Sequence, residues 1–117
     1  MANVLLVSDD MEYRDLIDPM LEDAGHAVLQ AESIDTAIEL ISQNPGWPNV
    51  IVCDGSYNFS ERIRMANSTR KSSDGLRFIV LSGERKVDRG ITEKLGDAMI
   101  SKNQPATVVQ YIDKVSP

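Results

Sequence analysis

The stretch VLLVSDDM, residues 4–11, runs an apolar segment straight into a serine and two adjacent carboxylates. Val4–Val7 is short, continuous and partly β-branched. A run of this kind reads as a strand buried on both faces, as in a parallel sheet. The pattern returns along the chain: Val50–Cys53 stops at Asp54, Phe78–Leu81 at Ser82 and Gly83, and Ala98–Ile100 at Ser101 and Lys102. Ala27–Ala31 reads as a shorter strand.

Helical spacing fills the gaps. Tyr13, Leu16, Ile17, Met20, Leu21 and Ala24 recur on one face, with Asp9 or Asp10 as a cap and Gly25 as a stop. Pro19 lies inside this helix and removes a donor, so a kink or a loosened turn is predicted. Ser33 is placed to cap a helix carrying Ile34, Ala37, Ile38 and Ile41, and NPGWP, residues 44–48, is turn chemistry. Gly55–Asp74 has a thinner pattern: Ser60 is a candidate cap for a helix with Ile63, Met65 and Ala66. A helix around Val87–Leu95 is weakened by Gly90. Val108, Ile112 and Val115 make one face of a last helix, with Pro105 in its first turn. Strand then helix, five times over, predicts an α/β fold with a five-stranded parallel sheet, helices on both faces and right-handed crossovers. No linker or repeat interrupts it, so residues 1–117 are expected to form one domain.

The chain has 117 residues, 42% hydrophobic and 26% charged, with a net charge of -6. An acidic balance argues against direct nucleic-acid or membrane binding, because both partners are themselves negative. The lone Cys53 cannot close an internal disulfide, which fits a reducing compartment. No basic-led apolar segment reads as a signal peptide, and nothing approaches the roughly 18 apolar residues of a membrane span. A cytoplasmic location is expected. The charge is uneven. Arg62, Arg64, Arg70, Lys71, Arg77, Arg85, Lys86 and Arg89 face only Asp74, Glu84 and Asp88 within their stretch. This is either a solvated face or a surface for an acidic partner.

Open parallel sheets bind ligands at the carboxyl ends of their strands. Here those ends carry Ser8, Asp9, Asp10, Asp54, Ser82 and Lys102. Clustered carboxylates repel and call for a cation, and a hard divalent ion with oxygen ligands, such as Mg²⁺, fits best. Asp54 would offer a nucleophilic oxygen able to accept a phosphoryl group. Lys102 could pair with phosphate as a point charge, and Ser82 could donate to it. Taken singly, each residue is also an ordinary cap, turn former or surface group. No glycine-rich phosphate loop comes after any strand. His26 and Cys53 make no metal set: His26 reads as a loop or surface residue, Cys53 as a small core residue.

In these features the whole chain resembles the CheY-like receiver domains of bacterial response regulators, a flavodoxin-like (βα)5 fold. The likeness rests on VLLVSDDMEYRDLIDPMLEDAGHAVLQAES, PNVIVCDG, FIVLSG and GDAMISK, in that order. It implies that Asp54 takes phosphate from a phosphohistidine on a sensor histidine kinase or phosphotransfer protein. It implies that Asp9 and Asp54, with the backbone carbonyl of Ser56, hold Mg²⁺, and that Asp10 is a further candidate ligand. Lys102 would bridge to the phosphoryl group, and Ser82 would move towards it and shift the adjoining loop and helix. The output would be a downstream target or an attached output domain, and the chain would be a switch rather than an enzyme.

The sequence also departs from the family. Ser8 stands where an acid is usual, GSYNF replaces the usual loop after the phosphoacceptor, Met99 replaces an aromatic, and Asn103 replaces the proline after the lysine. The pocket therefore reads as degenerate, and no cis peptide is expected after Lys102. Two rival readings stay open. One is a pseudo-receiver that binds partners without phosphate, and the other is a flavodoxin-like cofactor domain.

Overall fold

Alternate residues of a strand point to opposite faces of its sheet, and that alternation divides the core of this molecule in two. In the computed structural model, which describes residues 1–54, 57, 59–70, 76–82 and 98–116, five strands pair in parallel in the order β2-β1-β3-β4-β5. They are β1 (Asn3–Val7), β2 (Ala27–Ala31), β3 (Val50–Asp54), β4 (Arg77–Ser82) and β5 (Ala98–Ser101). The described helices are α1 (Met11–Asp23), α2 (Ile34–Gln43), α3 (Phe59–Arg70) and α4 (Pro105–Val115). The five-stranded parallel α/β sheet expected from the sequence is the one observed.

On one face Val4, Leu6, Val52, Ile79 and Leu81 of the strands meet Tyr13, Ile17 and Leu21 of α1 and Val108 and Ile112 of α4. On the other, Leu5, Val7, Ile51, Cys53 and Val80 meet Ile34, Ala37 and Ile41 of α2 and Met65 of α3. β3 sits at the centre and all five of its residues are buried. Burying one large apolar side chain contributes about 1.5–3 kcal/mol. Two such layers on a common sheet fix the strand register, because a one-residue slip would exchange the faces.

Local chemistry sets the helix ends. The Asp10 carboxylate accepts from the Tyr13 amide and caps α1. α1 runs unbroken through Pro19, which is exposed. Its end is a Schellman turn: the Gly25 amide donates to Glu22 and the His26 amide to Leu21, with Gly25 at a φ of 92°. Ser33 caps α2 by accepting from the Thr36 amide. α3 begins at Phe59, so Ser60 lies inside its first turn rather than at its cap. Met65 is fully buried there, as its spacing suggested. Ser56, the Val87–Leu95 helix, and Lys71, Arg85, Lys86 and Arg89 of the basic stretch lie outside the described residues.

His26 corrects the sequence reading. It lies in the connection between α1 and β2, as expected, but it is buried rather than at the surface. Its Nδ1 accepts from the Ala2 amide at 2.9 Å, and its Nε2 lies 2.6 Å from Asp113 of α4. A ring nitrogen that accepts from an amide carries no proton, so the other nitrogen is the one that donates to Asp113. The imidazole thus ties the start of β1 to the end of α4, at the rim opposite the polar strand ends.

Candidate functional site

The register of the sheet aligns the ends of four strands. Val7 pairs with Cys53, Asp54 with Leu81, and Ser82 with Ser101. One residue further along, or at the strand end itself, come Ser8, Asp54, Ser82 and Lys102. They occupy one edge because the strands are parallel.

Asp54 is the last residue of β3 and is 3% exposed. Its Oδ2 accepts from Ser8 Oγ at 2.9 Å and from Lys102 Nζ at 2.8 Å. Lys102 also donates to Asp10 Oδ2 at 3.0 Å. The Tyr13 ring lies under the same ammonium, 5.0 Å from Nζ to the centroid. Burial works against the charged form of Lys102, but hydrogen bonds to Asp54 and then Asp10 outweigh it, and its pKa is raised. The Lys102 hydrogen bond, followed by the Tyr13 amide, holds the Asp10 carboxyl below its ordinary value. Desolvation, helped by the charge of Asp54, pushes the Tyr13 phenol upward. Its hydroxyl is buried with no hydrogen-bond partner among the described residues.

Ser8 is fastened at every polar atom. Its amide donates to the Ala31 carbonyl at 3.0 Å, its carbonyl accepts from Arg14 Nη1 at 2.5 Å, and its Oγ accepts from the Asp10 amide at 3.1 Å. It is fully buried. A groove of about 680 Å³, lined by Asp10, Tyr13, Leu16, Lys102, Asn103 and Pro105 among others, opens the cluster to solvent.

The remaining expected residues stand further out. Asp9 is exposed at the rim, with no hydrogen bond or ion pair among the described residues. Its charge is felt at Tyr57, whose phenol is pushed up to about 12, first by burial and then by Asp9. Ser82 is half-buried and its carbonyl accepts from the Lys102 amide at 2.7 Å, but its hydroxyl is outside the hydrogen-bonded cluster. The peptide after Lys102 is trans.

Sequence reasoning thus found Asp10, Asp54 and Lys102 but not that one ammonium spans both carboxylates. It read Tyr13 only as a core residue and passed over Arg14. The all-oxygen donor set suits a hard cation, and Asp9, Asp10 and Asp54 exceed Lys102 by two negative charges. Among the described residues, no three His, Cys, Asp or Glu side chains are grouped closely enough to hold a metal ion as they stand.

The same fold recurs in solved structures. A response-regulator receiver domain protein from Clostridium thermocellum matches with a TM-score of 0.82 at 18% identity, covering 98% of this chain and 94% of that one. This is the receiver fold. A CheY-like receiver domain protein from Methanospirillum hungatei matches at 0.72 and 19% identity, over 97% and 95% of the two chains. The chemotaxis protein CheY4 of Vibrio cholerae matches at 0.78 and 20%, over 98% of each. No protein-family profile and no curated protein matches the sequence. Among the described residues of this receiver fold, no helix is long and apolar enough to cross a membrane.

Proposed function

We propose that this chain is a phosphoaccepting receiver in two-component signalling. Asp54 takes a phosphoryl group from a phosphohistidine on a sensor kinase or phosphotransfer protein in a Mg²⁺-dependent step. An Asp54 carboxylate oxygen bonds to phosphorus, the N–P bond of the donor breaks, and the electron pair stays on the departing imidazole. The observation that carries this reading is the buried Asp54 carboxylate, held by Lys102 and Ser8 at the carboxyl edge of the sheet. Asp9 and Asp54, with the carbonyl of Ser56, would hold Mg²⁺, with Asp10 as a further ligand. The ion would supply charge neutralisation for the incoming phosphoryl oxygens.

Lys102 then exchanges Asp10 for a phosphoryl oxygen, and Ser82 turns towards the new group. Repositioning of these residues changes the binding of a downstream target or an attached output domain. The reaction is on the chain's own side chain, so the protein acts as a cytoplasmic switch rather than as an enzyme on a free substrate.

Incubation with acetyl phosphate and Mg²⁺, read by intact mass, tests this. A gain of one phosphoryl group, lost in Asp54→Asn, is expected. No gain where a control receiver is labelled would overturn it.

A second reading is favoured by Ser8 and by the ammonium that already spans Asp10 and Asp54. In it the fold binds partners without phosphate. Partner binding unchanged by Asp54→Asn supports that alternative, and binding abolished by the same change rejects it.

A further inference from the structure

Ser8 is fully buried and hydrogen-bonded at its amide, its carbonyl and its hydroxyl. A carboxylate only accepts hydrogen bonds, so in the 2.9 Å contact the Ser8 hydroxyl must be the donor and Asp54 Oδ2 the acceptor. The Asp10 amide, 3.1 Å away, occupies a lone pair of the same hydroxyl and helps aim its proton at Asp54. The main chain of Ser8 is held on both sides, by Ala31 and by Arg14. Lys102 shares Oδ2 but has a second carboxylate to serve. Among the described residues the Ser8 hydroxyl has no charged partner besides Asp54.

We propose that Ser8 sets the lifetime of a phosphoryl group on Asp54, an inference that rests on the receiver reading above. Both Ser8 and Lys102 donate to Oδ2, so in the acyl phosphate, a mixed anhydride, the bond to phosphorus is assigned to Oδ1, and Oδ2 is the carbonyl oxygen that Ser8 still contacts. Hydrolysis brings a water oxygen onto phosphorus. The P–Oδ1 bond breaks with its electron pair going to the Asp54 carboxylate, inorganic phosphate leaves, and the water's proton passes to solvent. The transition state is loose, so negative charge builds on the departing carboxylate before the bond is gone. A donor already aimed at that carboxylate binds it more tightly there than it binds the neutral carbonyl of the acyl phosphate, and this lowers the barrier. Ser8 therefore shortens the signal. A carboxylate at the same position could not donate, and its charge would oppose that of Asp54.

The test labels wild type, Ser8→Ala and Ser8→Thr with acetyl phosphate and Mg²⁺, removes the donor, and tracks loss of the phosphoryl mass. Circular dichroism and urea midpoints confirm that each variant is folded. The half-life of Ser8→Ala is expected to rise roughly tenfold, the scale of one hydrogen bond's net contribution. Ser8→Thr, which keeps the hydroxyl, stays close to wild type. A labelled Ser8→Ala with an unchanged or shorter half-life, or a Ser8→Thr that behaves like alanine, overturns the role of Ser8 and leaves the receiver reading intact. A wild type that is never labelled overturns both.

Discussion

Lys102 Nζ stands 3.0 Å from Asp10 Oδ2 and 2.8 Å from Asp54 Oδ2, so a single ammonium holds two carboxylates from different strand ends. The two acids are not equivalent. The Asp54 side chain is 4% exposed, and that of Asp10 is 42% exposed. Removing Lys102 would leave Asp10 to water but Asp54 as a buried charge. Lys102→Met is therefore expected to destabilise the fold by about 3 kcal/mol, the scale of breaking a buried pair. Adding Asp54→Asn to Lys102→Met should recover more than half of that loss. Urea denaturation of the two variants decides it, and a double variant no more stable than Lys102→Met would reject the account.

Ser8 also limits the charge that the pocket can offer a metal. Ser8→Asp would add a third buried or half-buried carboxylate beside Asp54 and Asp10. It is expected to tighten Mg²⁺ binding by about one order of magnitude in calorimetry. Without Mg²⁺ the same variant should unfold at lower urea than wild type. Calorimetry is the proper readout because Trp47, which precedes β3, lies at the far end of that strand from Asp54. Unchanged affinity in Ser8→Asp would mean that position 8 does not reach the ion.

The Asp10–Lys102 pair has a definite pH signature. The folded-state pKa of Asp10 lies below its ordinary 3.8 because of Lys102 and the Tyr13 amide. Its contribution is complete above the ordinary value and is lost as pH falls through the lower, folded value. Lys102 is shifted the other way, so its share is present below its ordinary 10.5 and lost as pH rises through the higher, folded value. Asp10→Asn keeps a capping side chain but loses the charge. The stability gap between wild type and Asp10→Asn should be constant from pH 5 to 8, as roughly set by the ordinary carboxyl range, and close on acidification below it. A gap that widens in acid would contradict this.

Tyr13 offers a substitution that should improve the fold. Its hydroxyl is buried and unpartnered among the described residues, while its ring does the packing and sits beneath Lys102. Tyr13→Phe keeps the ring and removes the stranded group. A gain of about 1 kcal/mol is expected, at the low end of the cost of an unmade buried hydrogen bond. A loss in thermal denaturation would show that the hydroxyl has a structural role.

The sheet was open to sequence reading because its apolar runs are short, uninterrupted and cut off by polar residues. α1 and α2 were legible for a related reason, since their buried faces recur at helical spacing behind a capping side chain. α3 was harder: among its described side chains, Met65 is in the core and Ile63 packs against it, a narrow apolar face. The pair Asp9 and Asp10 could not be told apart from spacing. The strand-to-helix turn decides, because the capping residue must fold its carboxylate back onto the helix start, and that brings Asp10 inward and leaves Asp9 at the rim. Long-range partners leave no periodic trace, which is why the spans of Lys102 and the burial of His26 emerged only from the fold.

The His26 clamp gives α4 a mechanical asymmetry. The helix is tied near its last turn, where Asp113 meets the imidazole, while its first turn begins three residues after Lys102. Eight residues, at about 1.5 Å each, separate Asp113 from Pro105 at the other end. A small pull on Lys102 would therefore tilt α4 about its far end rather than slide it along the sheet. A displacement that starts at one carboxylate would be read out as a rotation of the helix.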